Sequence, residues 1–240
     1  MLQVCPNGAR DQSACPSVPI SPAELAAAVR EAVAAGATDV HLHPKTPEGA
    51  DTLDPDCVAA AVTAVREAVP GVPVGVTTGA WAMPDPRRRV KLIRSWPVLP
   101  DHASVNWHEE GAEAVAEALL ERGVGIEAGI FSGTRAASRF LASPLVDCVL
   151  RVLAEVTDTA PRTALAAARL LLGELGDALR APILLHAEDG AAWPVFGLAA
   201  ELGLDARIGL EDVLELPDGT PATTNAELVR AAHAILSASH

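Results

Sequence analysis

The sequence predicts an α/β protein, a (β/α)8 TIM barrel built as one domain over residues 1–240. Three observations carry that expectation. Short β-branched runs alternate with Ala-, Leu- and Glu-rich stretches of helical length. The alternation repeats eight times within 240 residues, a length that suits one such barrel. The conspicuous polar residues fall repeatedly at the C-terminal ends of the strand segments, where barrel sites form. A doubly wound open sheet is the main rival. No Pro/Gly/Ser stretch is long enough to divide domains, and no internal repeat is clear.

Taken in order, "MLQVC" opens as the first strand. In "SPAELAAAVREAVAAG", Ser21 is an N-cap, Pro22 suits the first helical turn and Gly36 closes the helix. "TDVHLHP" is the second strand, and Asp54 followed by Pro55 starts the next helix. "VPVGVTTG" is the third strand, followed by the helix "DPRRRVKLIRSW". "HASVNWHEE" is the fourth, running into "EEGAEAVAEALLERG". "VGIEAGIF" is the fifth, followed by the short helix "SGTRAASRFLAS". "DCVLRVLAEV" is read as the sixth strand, with helix as the competing reading, before the long helix "APRTALAAARLLLGELGDALR". "APILLHAED" and "DARIGLED" are the seventh and eighth strands, each followed by a helix. The crossovers are long enough for parallel pairing.

Composition narrows the function classes. Half of the residues are apolar, enough for a full core, and the net charge of −13 argues against nucleic acid or an anionic membrane as partner. No stretch resembles a signal peptide or a span of about 20 apolar residues, so a soluble, cytoplasmic protein is expected. The four cysteines (Cys5, Cys15, Cys57 and Cys148) form no CxxC pair and read as buried filler.

Two stretches carry chemistry. In "TDVHLHPK", His41 and His43 are one residue apart, so a strand sends both imidazoles to one face and Val40 and Leu42 to the other. In "RIGLED", alternation places Arg207, Gly209 and Glu211 together, and Gly209 leaves space above the sheet. Glu211 and Asp212 are adjacent, so one follows the strand and the other is turned by the loop. This suits one ligand and one base. Two imidazoles and a carboxylate with an open position match catalytic zinc, with Fe(II), Mn(II) or Co(II) as substitutes. The competing reading is two histidines hydrogen-bonded in a polar barrel mouth. Further polar residues at strand ends are Asn7, Thr77, Thr78, Asn106, Glu127 and His186.

The stretches "NGAR" (7–10), "VPISPAEL" (18–25), "VHLHPK" (40–45), "TTG" (77–79) and "RIGLED" (207–212) together resemble the β-keto acid cleavage enzymes. That resemblance implies a (β/α)8 barrel with a divalent metal, usually zinc. It also implies condensation of a β-keto acid with acetyl-CoA to give acetoacetate and a new acyl-CoA. By motif, His41, His43 and Glu211 match the metal ligands. Asp212 matches the base and Arg207 the residue orienting base and anion, and Glu127 matches an acidic site residue on strand five. Asn7, Thr77, Thr78 and Asn106 lie in substrate-binding segments. Arg10 stands where an acidic residue often follows "GA". A cation there disfavours an amino-bearing substrate and suits a second carboxylate or a neutral chain with a polar tip, and a solvated loop residue is the alternative.

The basic run 86–91 with Arg87, Arg88 and Arg89 follows strand three and is a candidate for CoA phosphates, against the plain reading of an exposed helix start. His102 and His108 read as local structure, His233 as helix surface and His240 as a terminal residue. Trp107 and Trp193 read as packing. A homo-oligomer, dimer or tetramer, is expected. Two other functions compete: a CoA-independent metal-dependent hydrolase or lyase, and a catalytically degenerate barrel that binds a metabolite.

Overall fold

Eight parallel strands close on themselves in sequence order: β1 (Leu2–Val4), β2 (Asp39–Leu42), β3 (Val74–Thr77), β4 (His102–Asn106), β5 (Gly125–Phe131), β6 (Arg151–Val156), β7 (Ile183–Ala187) and β8 (Asp205–Ile208). The closing seam is the parallel pair β1–β8, with Gln3 opposite Arg207 and Val4 opposite Ile208. The helices are α1 (Pro22–Ala34), α2 (Pro55–Ala68), α3 (Pro86–Ser95), α4 (Ala112–Glu121), α5 (Ala136–Leu141), α6 (Pro161–Leu175), α7 (Ala192–Glu201) and α8 (Asn225–Ala238). This computed structural model describes residues 1–176 and 179–238, so His240 lies outside the described residues.

Local chemistry explains the helix starts. Ser21 and Glu24 form a reciprocal capping box ahead of α1. Asp54 caps α2 and Asp85 caps α3, each accepting two backbone N–H bonds, with proline following at the first helical position. Each such cap stabilises its helix by about 1 kcal/mol.

Strand alternation then divides the core in two. Val40, Leu42, Val74, Val76, Ile126 and Ala128 belong to the apolar layer packed under the helices. Their alternates Asp39, His41, His102, Glu127 and Arg151 fill the barrel interior and are buried there. An interior of charged groups holds together only if each finds a partner, and the network described below supplies them. Gly75 belongs to this arrangement, because a Cβ there would collide with the His102 ring.

The sixth and eighth strands differ from the expected spans. The segment 146–148 forms a 3-10 turn, and the strand begins only at Arg151. The eighth strand stops at Ile208, and residues 209–212 form a tight turn in which the N–H of Asp212 donates to the Gly209 carbonyl at 2.9 Å. The cysteines also correct a simple expectation: Cys5 and Cys15 are buried, but Cys57 is half-buried and Cys148 exposed. Among the described residues no helix is long and apolar enough to cross a membrane.

A candidate metal centre at the barrel mouth

His41 leaves β2 toward the interior, and His43 follows just past the strand end. Each ring sets its Nδ1 against a carboxylate: His41 on Glu127 at 3.2 Å and His43 on Asp51 at 3.4 Å. Glu211 approaches from the far side of the seam, its Oε1 lying 3.5 Å from His43 Nε2. One donor atom from each of His41, His43 and Glu211 lies within 4.8 Å of the others, a grouping able to hold an ion.

Two observations test that fit. Imidazoles anchored through Nδ1 to a carboxylate present Nε2 as the free donor, the arrangement that fixes histidines toward metals. In addition, Glu211 Oε2 is buried with no partner, and a buried carboxylate oxygen without one is costly unless something binds it. The donor set of two nitrogens and one oxygen suits zinc and its borderline neighbours.

Electrostatics distinguish the two imidazoles. Burial pushes the His41 imidazolium down, more than Glu127 pushes it up, so His41 stays neutral as a ligand must. His43 is also buried, but the charges of Glu211 and Asp51 outweigh that and raise it to about 9. In the ion-free protein a proton on His43 thus balances Glu211. Burial opposes the charge on Glu211, yet Arg207 and then His43 hold its carboxyl well below the usual range.

The turn after β8 explains how adjacent acids both reach the site. Strand alternation does not place Glu211, as the strand has already ended; the turn does. Arg207 donates from Nε to Asp212 Oδ1 at 2.9 Å and from Nη2 to Glu211 Oε1 at 2.9 Å. One guanidinium therefore occupies one oxygen of each carboxylate. The other two oxygens, Glu211 Oε2 and Asp212 Oδ2, are left buried and unpartnered. Gly209 serves this turn in an unexpected way. It opens no space above the sheet, because a Cβ there would collide with the Cys5 backbone.

A cavity of about 460 Å³ opens over these groups, and His41, His43, Arg207 and Glu211 line it. Thr77 and Asn106 line it too, as expected, together with Ser104, Trp81, Glu155 and Glu188. Four of the expected site residues, Asn7, Thr78, Glu127 and Arg89, are not part of this lining. Asn7 is fully buried, and its side chain pairs with the backbone of His43 through Nδ2 (2.8 Å) and Oδ1 (3.0 Å); it holds the His43 backbone in place and does not line the cavity. Thr78 donates its hydroxyl to the Ser104 carbonyl at 2.6 Å and is not part of the lining. Glu127 lies below the mouth, fully buried among cations. Arg89 is buried in an ion pair with Glu109 and also donates to the carbonyls of Thr78 and Glu110, so only Arg87 and Arg88 are exposed to meet a phosphate. Arg10 lines the cavity, but Asp189 pairs with it at 2.6 Å.

A second grouping of donors, His41, His102 and Glu127, lies deeper. Its atoms already have partners. Glu127 meets His102 at 3.1 Å, Arg151 at 3.1 Å and Gln3 at 2.8 Å, while Asp39 meets His102 at 3.1 Å and Arg151 at 2.8 Å. Despite burial, the charges of Glu127 and Asp39 raise His102 to about 10. This is a closed ionic network, and its Glu127 anchors His41.

Sequence reasoning missed several groups. Ser104 alternates with Asn106 on β4, a signal that could have found it. Trp81 lies over the mouth, its ring stacked on His43 with centroids 5.9 Å apart. Asp51 and Lys45, paired at 2.6 Å, support His43 from the loop after β2. Glu188, just past β7, is pushed up to about 7 by burial and by the nearby charges of Glu155, Asp212 and Glu211. His186, which the sequence already marks as a polar residue at the end of strand seven, is buried between Glu155 (3.5 Å) and Asp212 (3.6 Å). The remaining readings concern packing: Trp107 lies edge-on to Phe140, Trp193 edge-on to Phe196, and His108 against Phe131.

Comparison with known proteins follows the same line. The sequence model of the beta-keto acid cleavage enzyme family matches residues 1–240. The 3-keto-5-aminohexanoate cleavage enzyme of Fusobacterium nucleatum is 25% identical over 238 residues, covering 89% of this chain and 82% of that protein. Among solved structures, the complex of ObcA with oxaloacetate superposes with a TM-score of 0.73 at 17% identity, over 93% of this chain. This chain spans only 64% of the ObcA chain. A type I 3-dehydroquinate dehydratase from Clostridium difficile superposes with a TM-score of 0.66 at 10% identity, over 99% of this chain and 90% of its own. At these identities the structural likenesses speak to the barrel alone.

Proposed function

Because the chain belongs to the beta-keto acid cleavage enzyme family, we propose that it is a divalent-metal enzyme, with zinc the first candidate, that condenses a β-keto acid with acetyl-CoA to give acetoacetate and an acyl-CoA. The observation that carries this reading is the double orphan left by Arg207: one unpartnered oxygen on Glu211 and one on Asp212.

His41, His43 and Glu211 hold the cation in this reading. When bound it supplies Lewis-acid polarisation of the substrate's keto and carboxylate oxygens. Asp212 Oδ2 takes the proton from the carbon between the two carbonyls, and Arg207 keeps the carboxylate aimed and charged. Thr77, Ser104 and Asn106 orient the substrate's oxygens from the cavity wall. The resulting carbanion attacks the thioester carbonyl. CoA thiolate leaves that adduct and attacks the substrate's original keto carbon; the old carbon–carbon bond then breaks, the acid-bearing carbon, now carrying the acetyl group, takes back the proton held by Asp212 and leaves as acetoacetate, and the acyl fragment leaves as its CoA ester. Arg87 and Arg88 contact CoA phosphates at the rim. The single barrel works in the cytoplasm as a homo-oligomer.

The test is a panel of β-keto acids with and without acetyl-CoA, alongside metal analysis of the purified protein. Near one zinc per chain and acetoacetate formed only with thioester are expected. Turnover without thioester would favour a hydrolase or lyase, and neither metal nor turnover a degenerate barrel. His41→Ala lowers metal content, whereas Asp212→Asn keeps metal and stops turnover; equal metal loss in both contradicts the roles.

A further inference from the structure

We propose that Arg10 and Asp189 form a clamp that positions the Glu211–Asp212 turn, so that Arg10 acts on the site's carboxylates and not on substrate. The proposal rests on the reading of Glu211 as ligand and Asp212 as base. Arg10 comes from the loop after β1 and Asp189 from the loop after β7, on either side of the turn after β8. Arg10 Nε donates to the Glu211 carbonyl at 2.9 Å, and Nη2 to Asp189 Oδ1 at 2.6 Å and to the Asp212 carbonyl at 3.5 Å. Asp189 closes the loop by donating its own N–H to the Asp212 carbonyl at 2.7 Å. The backbone carbonyls of both acids are thus held by one ion pair.

The backbone shows that this arrangement is imposed. Asp189, at φ 51°, is the one non-glycine with positive φ among the described residues, and such strain persists where the surroundings fix it. On the other side, Gly8 at φ 57° lets the first loop lie against Glu211, since a Cβ there would collide with that side chain. The Arg10 and Asp189 side chains keep 22% and 55% of their exposure. A pair so exposed adds little to global stability, so its effect is on where the turn sits. This also separates the clamp from a mere structural contact.

The decisive variant is Asp189→Gly, which removes the carboxylate and relieves the strained backbone together. Arg10→Ala and the double variant complete a cycle. Zn²⁺ and Co²⁺ affinities are measured by chelator competition, Co²⁺ spectra report ligand geometry, and kcat and KM are measured on the holoenzyme. Each single variant is expected to weaken metal affinity about tenfold, as loss of a ligand's support does, and to lower kcat with KM within about twofold, at an unchanged melting midpoint. The double variant should be no worse than Arg10→Ala. Asp189→Asn, which tolerates the same backbone and keeps an acceptor oxygen, should recover most of the loss. A rise in KM alone, with metal affinity and kcat as in wild type, makes Arg10 a substrate reader and overturns the clamp, as does additivity in the cycle. Wild-type protein that takes up neither ion overturns the metal reading itself and removes the clamp's purpose.

Discussion

His41 belongs to two clusters, and the contrast between them is instructive. Above it, His43 and Glu211 complete a set of donors facing a cavity, with one carboxylate oxygen left without a partner. Below it, His102 and Glu127 offer donors just as close, yet every carboxylate there already meets Arg151, Gln3 or an imidazole. Proximity of donors is equal in the two. Saturation and access differ, and these decide which cluster can take an ion and which serves as its foundation.

The largest expected effect breaks the contrast directly. His43→Ala should lose metal by far more than the roughly 10–100-fold typical of supporting residues, while retaining its fold. His102→Ala should do the reverse, keeping near-stoichiometric metal but losing about 3–5 kcal/mol of stability, because Glu127 and Asp39 would be left as underpaired buried charges. Metal analysis beside denaturant unfolding reads both; matched losses in the two variants would erase the distinction.

Next comes pH. His102 is raised to about 10 when folded, against about 6.5 in an unfolded chain. Its contribution is therefore fully present below about pH 6.5 and falls as pH rises through about 10, since the folded state holds a proton the unfolded state has released. Unfolding free energy measured from pH 7 to 10 should drop by about a few kcal/mol, and in His102→Gln the slope should shrink to the smaller part that His43, raised to about 9, contributes. A smaller effect links the clusters. Glu127→Gln should weaken metal binding about 10–100-fold through His41, without changing the ligand set seen by Co²⁺ spectra.

How much of this could be read from the sequence follows from the same contrast. The barrel was legible because its signals are local: caps at Ser21, Asp54 and Asp85, and strand-length apolar runs between them. His41 and His43 were legible because a period of two fixes their common side. Glu211 does lie beside the two imidazoles, but strand alternation does not put it there, since the strand ends at Ile208 and a turn aims both acids. Asn7 and Arg89 misled because polar residues near a mouth look alike in sequence whether they face the cavity or hold the backbone behind it. Asp51 and Glu188 left no periodic trace, because loops carry them and only tertiary packing gives them neighbours.

The seam between β1 and β8 has one more consequence. The imidazoles come from an early strand and the carboxylate from a turn behind the final one, pressed through Gly209 against the backbone of Cys5. During synthesis, then, no partial barrel possesses the complete triad. If these three groups bind a cation as proposed, its capture would have to await docking of the last strand, so that loading would report completed folding, and a chain stalled one unit short would stay empty however much metal surrounds it.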